Sequence, residues 1–460
     1  MLNDVTTEIC SIFFVFLYEN AGLGERKNRG LNINCGYDQV MTRLIKIARI
    51  GQDTSMNRLP RRMAFRLLKT LPLAAALPVL IAADTPTGGE PGVRAFVLTN
   101  IFFAAPEEEG TCTPLADGGV ESFYNSLPAD EQAAFADPAK RRQLEHLMKE
   151  RLGFKATRMP PGAENDPDAI RQAAAAAGFP AGKGRTAFAN KRISYDSCTD
   201  PLDFMQLAKG YRHYDGKIAE GANLDGKHKR NDFRSAAGEP GIDNQVWRAL
   251  GCTKAFRDAG DRKAARQVLM SARAPTLIEL RGVDDLRNDP DVTVNVMAGS
   301  DALARDARGG PLLWSSFATD PDPALRATTK GRIVDGVLTT DPVDMRLNYK
   351  EQIIDAPRDL RGARISMTLK PDGSVDGRIY GYYTLSSLYA SIEQMSQDGA
   401  SASGISCPGV YKAIHDLADG YPDRKTGRKT AISSALGFVG VPAFAVPGER
   451  IAVTGKGAGL

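Results

Sequence analysis

The chain has 460 residues, of which 42% are hydrophobic and 25% are charged. This composition predicts a globular protein with enough apolar material for two or more cores, and it excludes disordered and collagen-like chains. The first 83 residues carry 11 basic and 6 acidic side chains, which leaves 48 basic and 49 acidic side chains in the remainder. A nearly neutral remainder without a long basic run argues against a nucleic-acid-binding protein.

Residues 1–83 form a predicted leader. A cluster of arginines and one lysine precedes the apolar run Leu71–Ala83, and the sequence turns polar at Asp84. This is the layout of a secretory signal peptide, and the apolar run is too short to span a bilayer comfortably. We therefore expect cleavage near Ala83, a mature chain without a transmembrane anchor, and a periplasmic or secreted location. The residues before Met56 are either a cytoplasmic extension or lie upstream of the true translation start.

Four cysteines follow the predicted leader: Cys112, Cys198, Cys252 and Cys407. An even number of cysteines in an oxidising compartment predicts two disulfides, and the sequence leaves three pairings open. A zinc site is disfavoured, because no two of these cysteines are closely spaced.

Residues 84–270 are expected to form a helical, loop-rich region. The stretch "DPAKRRQLEHLMKERLGF" has Asp137 as a helix cap, Pro138 in the first turn and a glycine at its end. The stretch "NDPDAIRQAAAAAGFP" repeats this pattern, with Pro167 early and Gly178 late. Both patterns predict helices.

Residues 271–460 are expected to form an antiparallel β-sandwich of the jelly-roll type with a helix near its C-terminus. Apolar residues alternate with polar residues, as in Val292, Val294 and Val296. The pairs Asp335-Gly336 and Asp372-Gly373 predict hairpin turns. The predicted fold class is therefore α+β, with a helical N-terminal region and a C-terminal sandwich.

The stretch "ANLDGKHKRNDFRSAAGEPGIDNQVWRALGC" is a candidate calcium site, because Asp, Asn and Gly together supply oxygen ligands on a tightly curled chain. The candidate ligands are Asn223, Asp225, Asp232, Asp243 and Asn244. A second stretch, "HDLADGYPDRKTG", offers Asp416, Asp419 and Asp423. The alternative is turn chemistry, in which Asp243 caps a short helix and the second stretch only ends a helix.

The stretch "RIYGYYTLSSLY" is a candidate ligand-binding strand. Its period of two places Tyr380 and Tyr382 on one face, where they could contact a carbohydrate or a small apolar ligand. The alternative is that both tyrosines belong to cross-strand packing.

Several short motifs resemble those of a group of exported bacterial proteins: "NLDG", "DF", "GIDNQVWRALGC", "LADGYPDRKTG", "IS" and "VPAF". The resemblance covers about a third of the mature chain and implies export. In that group a further cysteine often precedes "DF", where this chain has the residues 228–231.

The sequence contains no nucleophile elbow, phosphate loop, zinc-protease helix or dinucleotide-binding motif. We therefore expect an exported envelope protein with a binding or structural role, with calcium as a structural ion, rather than an enzyme. The alternative is an extracytoplasmic hydrolase that acts on glycans. Its carboxylates would come from Glu279, Asp284 and Asp285.

Overall fold

A computed structural model describes residues 90–105, 112–113, 118–163, 166–187, 191–209, 211–253, 275–348 and 355–448. The predicted leader, residues 1–83, lies outside these ranges. Within them, no helix is both long enough and apolar enough to cross a membrane.

The strands in chain order are β1 (Val93–Phe103), β2 (Lys155–Arg158), β3 (Arg185–Ala187), β4 (Arg192–Tyr195), β5 (Phe233–Arg234), β6 (Pro240–Ile242), β7 (Thr276–Arg281), β8 (Asp289–Ala298), β9 (Ser315–Ala318), β10 (Arg326–Val334), β11 (Val337–Thr340), β12 (Val343–Leu347), β13 (Arg358–Leu369), β14 (Val375–Thr384), β15 (Gly420–Pro422) and β16 (Lys429–Val446). The α-helices are α1 (Gly119–Ser126), α2 (Ala129–Ala134), α3 (Arg141–Arg151), α4 (Pro167–Ala176), α5 (Gln245–Leu250), α6 (Leu385–Glu393), α7 (Ser396–Ala402) and α8 (Cys407–Asp416).

Eight of these strands form a closed antiparallel β-barrel. Around the barrel the strands follow one another in chain order: β1, β7, β8, β10, β11, β13, β14 and β16. The barrel closes because β1 also pairs with β16, with Ala95 opposite Ala443. Closure of a sheet gives each of these strands a partner on both sides and removes the free edges that an open sheet exposes.

Alternate residues of the barrel strands fill its interior. One row of register partners runs through Ile333, Leu338, Met367, Gly377 and Phe438. The four side chains in this row are at most 1% exposed. A Cβ atom at Gly377 would lie 2.6 Å from Cζ of Phe438, so glycine at this position leaves room for the ring. An eight-stranded barrel is just wide enough for side chains to fill, and this row is hydrophobic core.

The predicted fold class is wrong in both of its parts. The protein is mostly β, and its sheet is a closed barrel rather than a jelly-roll-like sandwich. The range 84–270 is not a helical region, since it contributes β1 to the barrel and also contains β2 to β6. Sandwich and barrel strands share the same period of two, so the alternation of residues does not report closure. The barrel crosses the predicted boundary at residue 270.

Three predicted helices are present, and two of them, α3 and α4, end just before the expected glycines. The Asp137 carboxylate accepts a hydrogen bond from Ala139 N at 2.9 Å just before α3. The Asp166 carboxylate caps α4 in the same way. Both helices are followed by a glycine with positive φ, Gly153 and Gly178. The third, α8, lies in the predicted C-terminal helical stretch.

Both predicted hairpins are also present. Asp335 and Gly336 have φ values of 49° and 79° and join β10 to β11. Between β13 and β14 the turn is longer, and only Gly373 of its Asp-Gly pair has a positive φ, of 81°.

Two disulfides are present, as predicted, and each joins residues that are far apart in the sequence. Cys112 pairs with Cys252 at the end of α5, across a sequence separation of 140 residues. Cys198 pairs with Cys407 at the start of α8, across 209 residues. The structure thus selects one of the three pairings that the sequence left open. Two disulfides are consistent with an exported protein.

Candidate functional site

The two predicted calcium stretches meet at β16. The Asp419 carboxylate accepts hydrogen bonds from both N and Oγ of Ser433, each at 2.8 Å. The Ser433 hydroxyl oxygen in turn accepts a hydrogen bond from Gln245 N at 3.0 Å. Because Gln245 is the first residue of α5, Ser433 joins the "GIDNQ" stretch to the "LADG" stretch. These segments are about 175 residues apart in sequence, and the barrel wall brings them into contact.

Asp243 is the most deeply buried carboxylate of this region. Its side chain is 0% exposed, and Oδ2 accepts a hydrogen bond from Leu224 N at 2.7 Å. Its Oδ1 has no hydrogen-bond partner in the described part of the chain. Burial raises the pKa of Asp243 to about 6, and the neighbouring charges of Asp225, Asp232 and Asp419 act in the same direction. We call these four residues, Asp225, Asp232, Asp243 and Asp419, the carboxylate cluster.

The pKa of Asp419 is also raised, because burial disfavours its charged form more than the two bonds from Ser433 favour it. Asp225 behaves differently. Burial opposes its ionisation, but the ammonium of Lys229, 2.5 Å from Oδ2, and the Lys227 N–H lower its pKa overall. The cluster therefore combines Asp225, whose pKa is lowered, with Asp243 and Asp419, which bind protons more tightly than an ordinary aspartate does.

Asn223 and Asp232 shape the loop that carries the cluster. Asn223 Oδ1 accepts a hydrogen bond from Gly226 N at 2.7 Å, and Asp232 Oδ2 accepts one from Lys229 N at 2.5 Å. These are short-range side-chain turns of the kind that Asn and Asp form in loops.

Asn244, and not Asp243, caps α5. Its Oδ1 accepts a hydrogen bond from Trp247 N at 3.2 Å, while its Nδ2 donates to Glu220 O at 2.7 Å. The predicted cap at Asp243 is therefore displaced by one residue, because the Asp243 carboxylate points to Leu224 instead.

The described residues contain no group of three or more His, Cys, Asp or Glu side chains that is placed to hold a metal ion. Asp225, Asp232 and Asp243 belong to the carboxylate cluster, and Asn223, Asp232 and Asn244 make the local bonds given above. Asp416 pairs with Lys412, and Asp423 accepts hydrogen bonds within its own turn. Calcium at the five predicted ligands stays a prediction. The orphaned Asp243 Oδ1 is the atom in this region that best suits a cation.

A second polar feature is a groove on the outer face of β10, β11, β13 and β14, which we call the outer groove. Its volume is about 470 Å³. The side chains that matter for its chemistry are Lys330, Arg332, Thr339, Arg364, Ser366 and Tyr380. The register of the strands places them side by side, since Arg332 pairs with Thr339, Thr339 with Ser366, and Arg364 with Tyr380.

The two predicted ligand-binding tyrosines have different surroundings. Tyr380 is half-buried and lines the outer groove. Tyr382 is 8% exposed, contacts Leu224, and packs edge-on against Tyr421 with ring centroids 5.4 Å apart. A Cβ atom at Gly420 would lie only 2.2 Å from the Tyr382 ring, so this glycine provides the space for the ring.

The carboxylates of the predicted hydrolase have other interactions. Glu279 on β7 is 5% exposed, pairs with Arg281 at 2.6 Å, and accepts a hydrogen bond from Asn295 at 3.0 Å. Asp284 and Asp285 lie in the turn before β8, where the Asp285 carboxylate accepts a bond from Arg287 N at 2.8 Å.

Reasoning from the sequence missed Ser433, Arg332 and Arg364. Ser433 belongs to the "IS" motif of the resemblance described above, which is the signal that could have found it. The two arginines carry no motif, because only strand pairing brings them to one surface. No protein-family model, curated protein or solved structure matches this chain.

Proposed function

We propose that this protein is a periplasmic or secreted protein that binds a carbohydrate in the outer groove. The observation that carries the proposal is the position of Tyr380, a predicted ligand-binding residue, in a groove of about 470 Å³. Small-molecule sites usually have volumes of about 300–1,000 Å³ and combine apolar surface with a few well-placed polar groups.

The side chains of the outer groove suit a saccharide. A tyrosine ring offers a flat apolar surface to the C–H face of a sugar, and its hydroxyl can form a hydrogen bond. Thr339 and Ser366 can donate or accept hydrogen bonds, whereas the guanidinium of Arg332 only donates. Asp341 also lines the groove and accepts hydrogen bonds from sugar hydroxyls. A ligand rich in hydroxyl groups matches this mixture better than a wholly apolar ligand does.

Two features support an extracytoplasmic location. The disulfides Cys112–Cys252 and Cys198–Cys407 are of the kind that persists in oxidising compartments. The leader predicted from residues 1–83 supplies the means of export. Calcium, in this proposal, is a structural ion at the carboxylate cluster rather than a part of the saccharide site.

The test is a glycan-array measurement with the purified protein. We expect the wild-type protein to bind a subset of glycans, and we expect Tyr380→Ala to lose that binding while it remains folded, with a lower melting temperature because Tyr380 is half-buried. Trp314→Ala is the matched control, because Trp314 packs against Phe444 at 5.8 Å and does not line the outer groove. Binding that survives Tyr380→Ala, or that Trp314→Ala removes equally, would contradict the proposal.

A second candidate function is glycan hydrolysis at the carboxylate cluster. It is favoured by one observation, the raised pKa values of Asp243, about 6, and of Asp419. A carboxyl group with a raised pKa can serve as a general acid near neutral pH. Release of reducing sugar by the wild-type protein, and its loss in Asp243→Asn and Asp419→Asn, would support this function over simple binding.

A further inference from the structure

We infer that the ligand of the outer groove carries an anionic group, a carboxylate, sulfate or phosphate, which Arg332 and Arg364 bind together. This inference rests on the proposed carbohydrate-binding function and narrows its ligand to acidic saccharides.

The cationic side chains that line the outer groove differ in whether they form an ion pair with an acidic residue. Lys330 forms an ion pair with Asp291 at 2.7 Å, so their charges largely offset each other. Arg332 and Arg364 have neither a hydrogen-bond nor an ion-pair partner among the residues that the structure describes. With Asp341 included, the groove keeps one net positive charge. Next to the groove, Arg378 is already bound to Glu220 at 2.5 Å.

The strand register sets the spacing of the two guanidinium groups. Arg332 on β10 and Ser366 on β13 both pair with Thr339 on β11, and Arg364 lies two residues from Ser366 on the same face of its strand. Adjacent strands are about 4.8 Å apart and residues two apart on one strand are about 6.8 Å apart, so the two arginine backbones are separated by roughly 12 Å. Two extended arginine side chains reach inward far enough to contact one anion between them.

The hydroxyls of Thr339 and Ser366 lie between these arginines and complete a donor set. Guanidinium groups bind carboxylate, sulfate and phosphate oxygens through two parallel N–H donors, and such charge-assisted bonds are stronger than neutral ones. Tyr380, the cross-strand partner of Arg364, is placed to contact the ring that bears the anionic group.

The inference is tested with paired acidic and neutral glycans on the same array, followed by calorimetric titration of the tightest acidic binder and its neutral counterpart. We expect the acidic member to bind at least about tenfold more tightly, as expected for one charge-assisted bidentate contact. Arg332→Gln and Arg364→Gln should each remove most of that preference, because they should weaken binding of the acidic glycan much more than binding of the neutral glycan. Raising the salt concentration should weaken acidic-glycan binding in the wild-type protein.

Arg287→Gln is the matched control, since Arg287 is 79% exposed and lies outside the groove. Equal affinity for acidic and neutral glycans, lost in Tyr380→Ala but not in Arg364→Gln, would overturn the inference and leave carbohydrate binding standing. Binding of inorganic phosphate that Arg364→Gln abolishes, with no glycan bound, would retain the anion site and overturn the carbohydrate function. Absence of binding to any glycan, acidic or neutral, and to phosphate would overturn both.

Discussion

Replacement of Asp243 by asparagine should stabilise the calcium-free protein at neutral pH. The wild-type carboxylate is fully buried and leaves Oδ1 without a hydrogen-bond partner in the described part of the chain. The side-chain oxygen of asparagine can still accept the hydrogen bond from Leu224 N, and its amide group can donate towards the neighbouring carboxylates. The substitution therefore keeps the existing bond, removes a buried negative charge, and supplies a donor where the wild-type residue has an unsatisfied acceptor.

The size of the effect follows from the pKa of Asp243. In the folded protein this pKa is about 6, against 3.8 for an ordinary aspartate, so the folded state binds the proton more tightly than the unfolded chain does. The free energy of unfolding contributed by this group is complete below pH 4 and falls as the pH rises through 6. Above that pH the ionised carboxylate costs about 3 kcal/mol. Asp243→Asn should recover up to this amount at pH 7.5 and nothing at pH 4.

The assay is urea unfolding at several pH values between 4 and 8, monitored by tryptophan fluorescence. Asp423→Asn is a control of opposite sign, since hydrogen bonds from Thr426 and Lys425 lower the pKa of Asp423. This control should therefore lose stability at neutral pH. If Asp243→Asn is less stable than the wild-type protein at pH 7.5 in the presence of EDTA, the reasoning from burial is refuted.

The same variant distinguishes two ways of balancing the buried charge of Asp243, protonation of the carboxylate and binding of a cation. If calcium binds at the carboxylate cluster, Asp243 is held in its charged form, and the substitution Asp243→Asn destabilises the protein at neutral pH. In that case EDTA lowers the melting temperature of the wild-type protein and has little effect on Asp243→Asn. If protonation alone balances the buried charge, EDTA changes neither melting temperature, and elemental analysis finds no stoichiometric calcium.

Three further predictions concern packing and cross-linking. Replacing Cys198 and Cys407 together by alanine should lower the free energy of unfolding by about 4–5 kcal/mol, because the substitution frees a long loop in the unfolded chain. An unchanged free energy of unfolding in this variant would contradict the prediction. Gly420→Ala should cost about 1–3 kcal/mol, since its Cβ would lie 2.2 Å from the Tyr382 ring, and the cost should shrink in a Tyr382→Ala background when measured as a double-mutant cycle. Asn244→Ala should cost about 1–2 kcal/mol in urea unfolding through loss of the α5 cap, whereas Asn244→Ser, which keeps a cap oxygen, should cost less.

Local signals in this sequence predicted local structure well. The Asp-Pro starts and glycine ends of α3 and α4 depend on bonds within a few residues, and those helices form as expected. The Asp335-Gly336 hairpin is local in the same sense. The closed barrel was not predictable in this way, because closure depends on β1 pairing with β16, more than 300 residues later.

The sequence of β1 does not by itself identify this segment as a strand. The stretch "VRAFVLTNIFF" is apolar without a clear alternation, since both of its faces are covered. Phe96 and Leu98 belong to the core cluster inside the barrel, whereas Val97 packs on the other face with Leu277 and Phe317. A strand buried on both sides loses the period of two that identifies a half-exposed strand, so periodicity did not detect it.

The alternation within β14 was predictable, whereas the roles of its tyrosines were not. The period of two correctly places Tyr380 and Tyr382 outward and Ile379 inward. Which outward ring can meet a ligand depends on the loop that carries Leu224, because Tyr382 is buried in a cluster with Leu224, whereas Tyr380 is half-buried against this cluster and also lines the outer groove. That loop precedes β14 by about 150 residues and is held in place by the bond from Leu224 N to the Asp243 carboxylate. The carboxylate cluster therefore helps to define the edge of the groove, which links the two candidate sites through one segment of the chain.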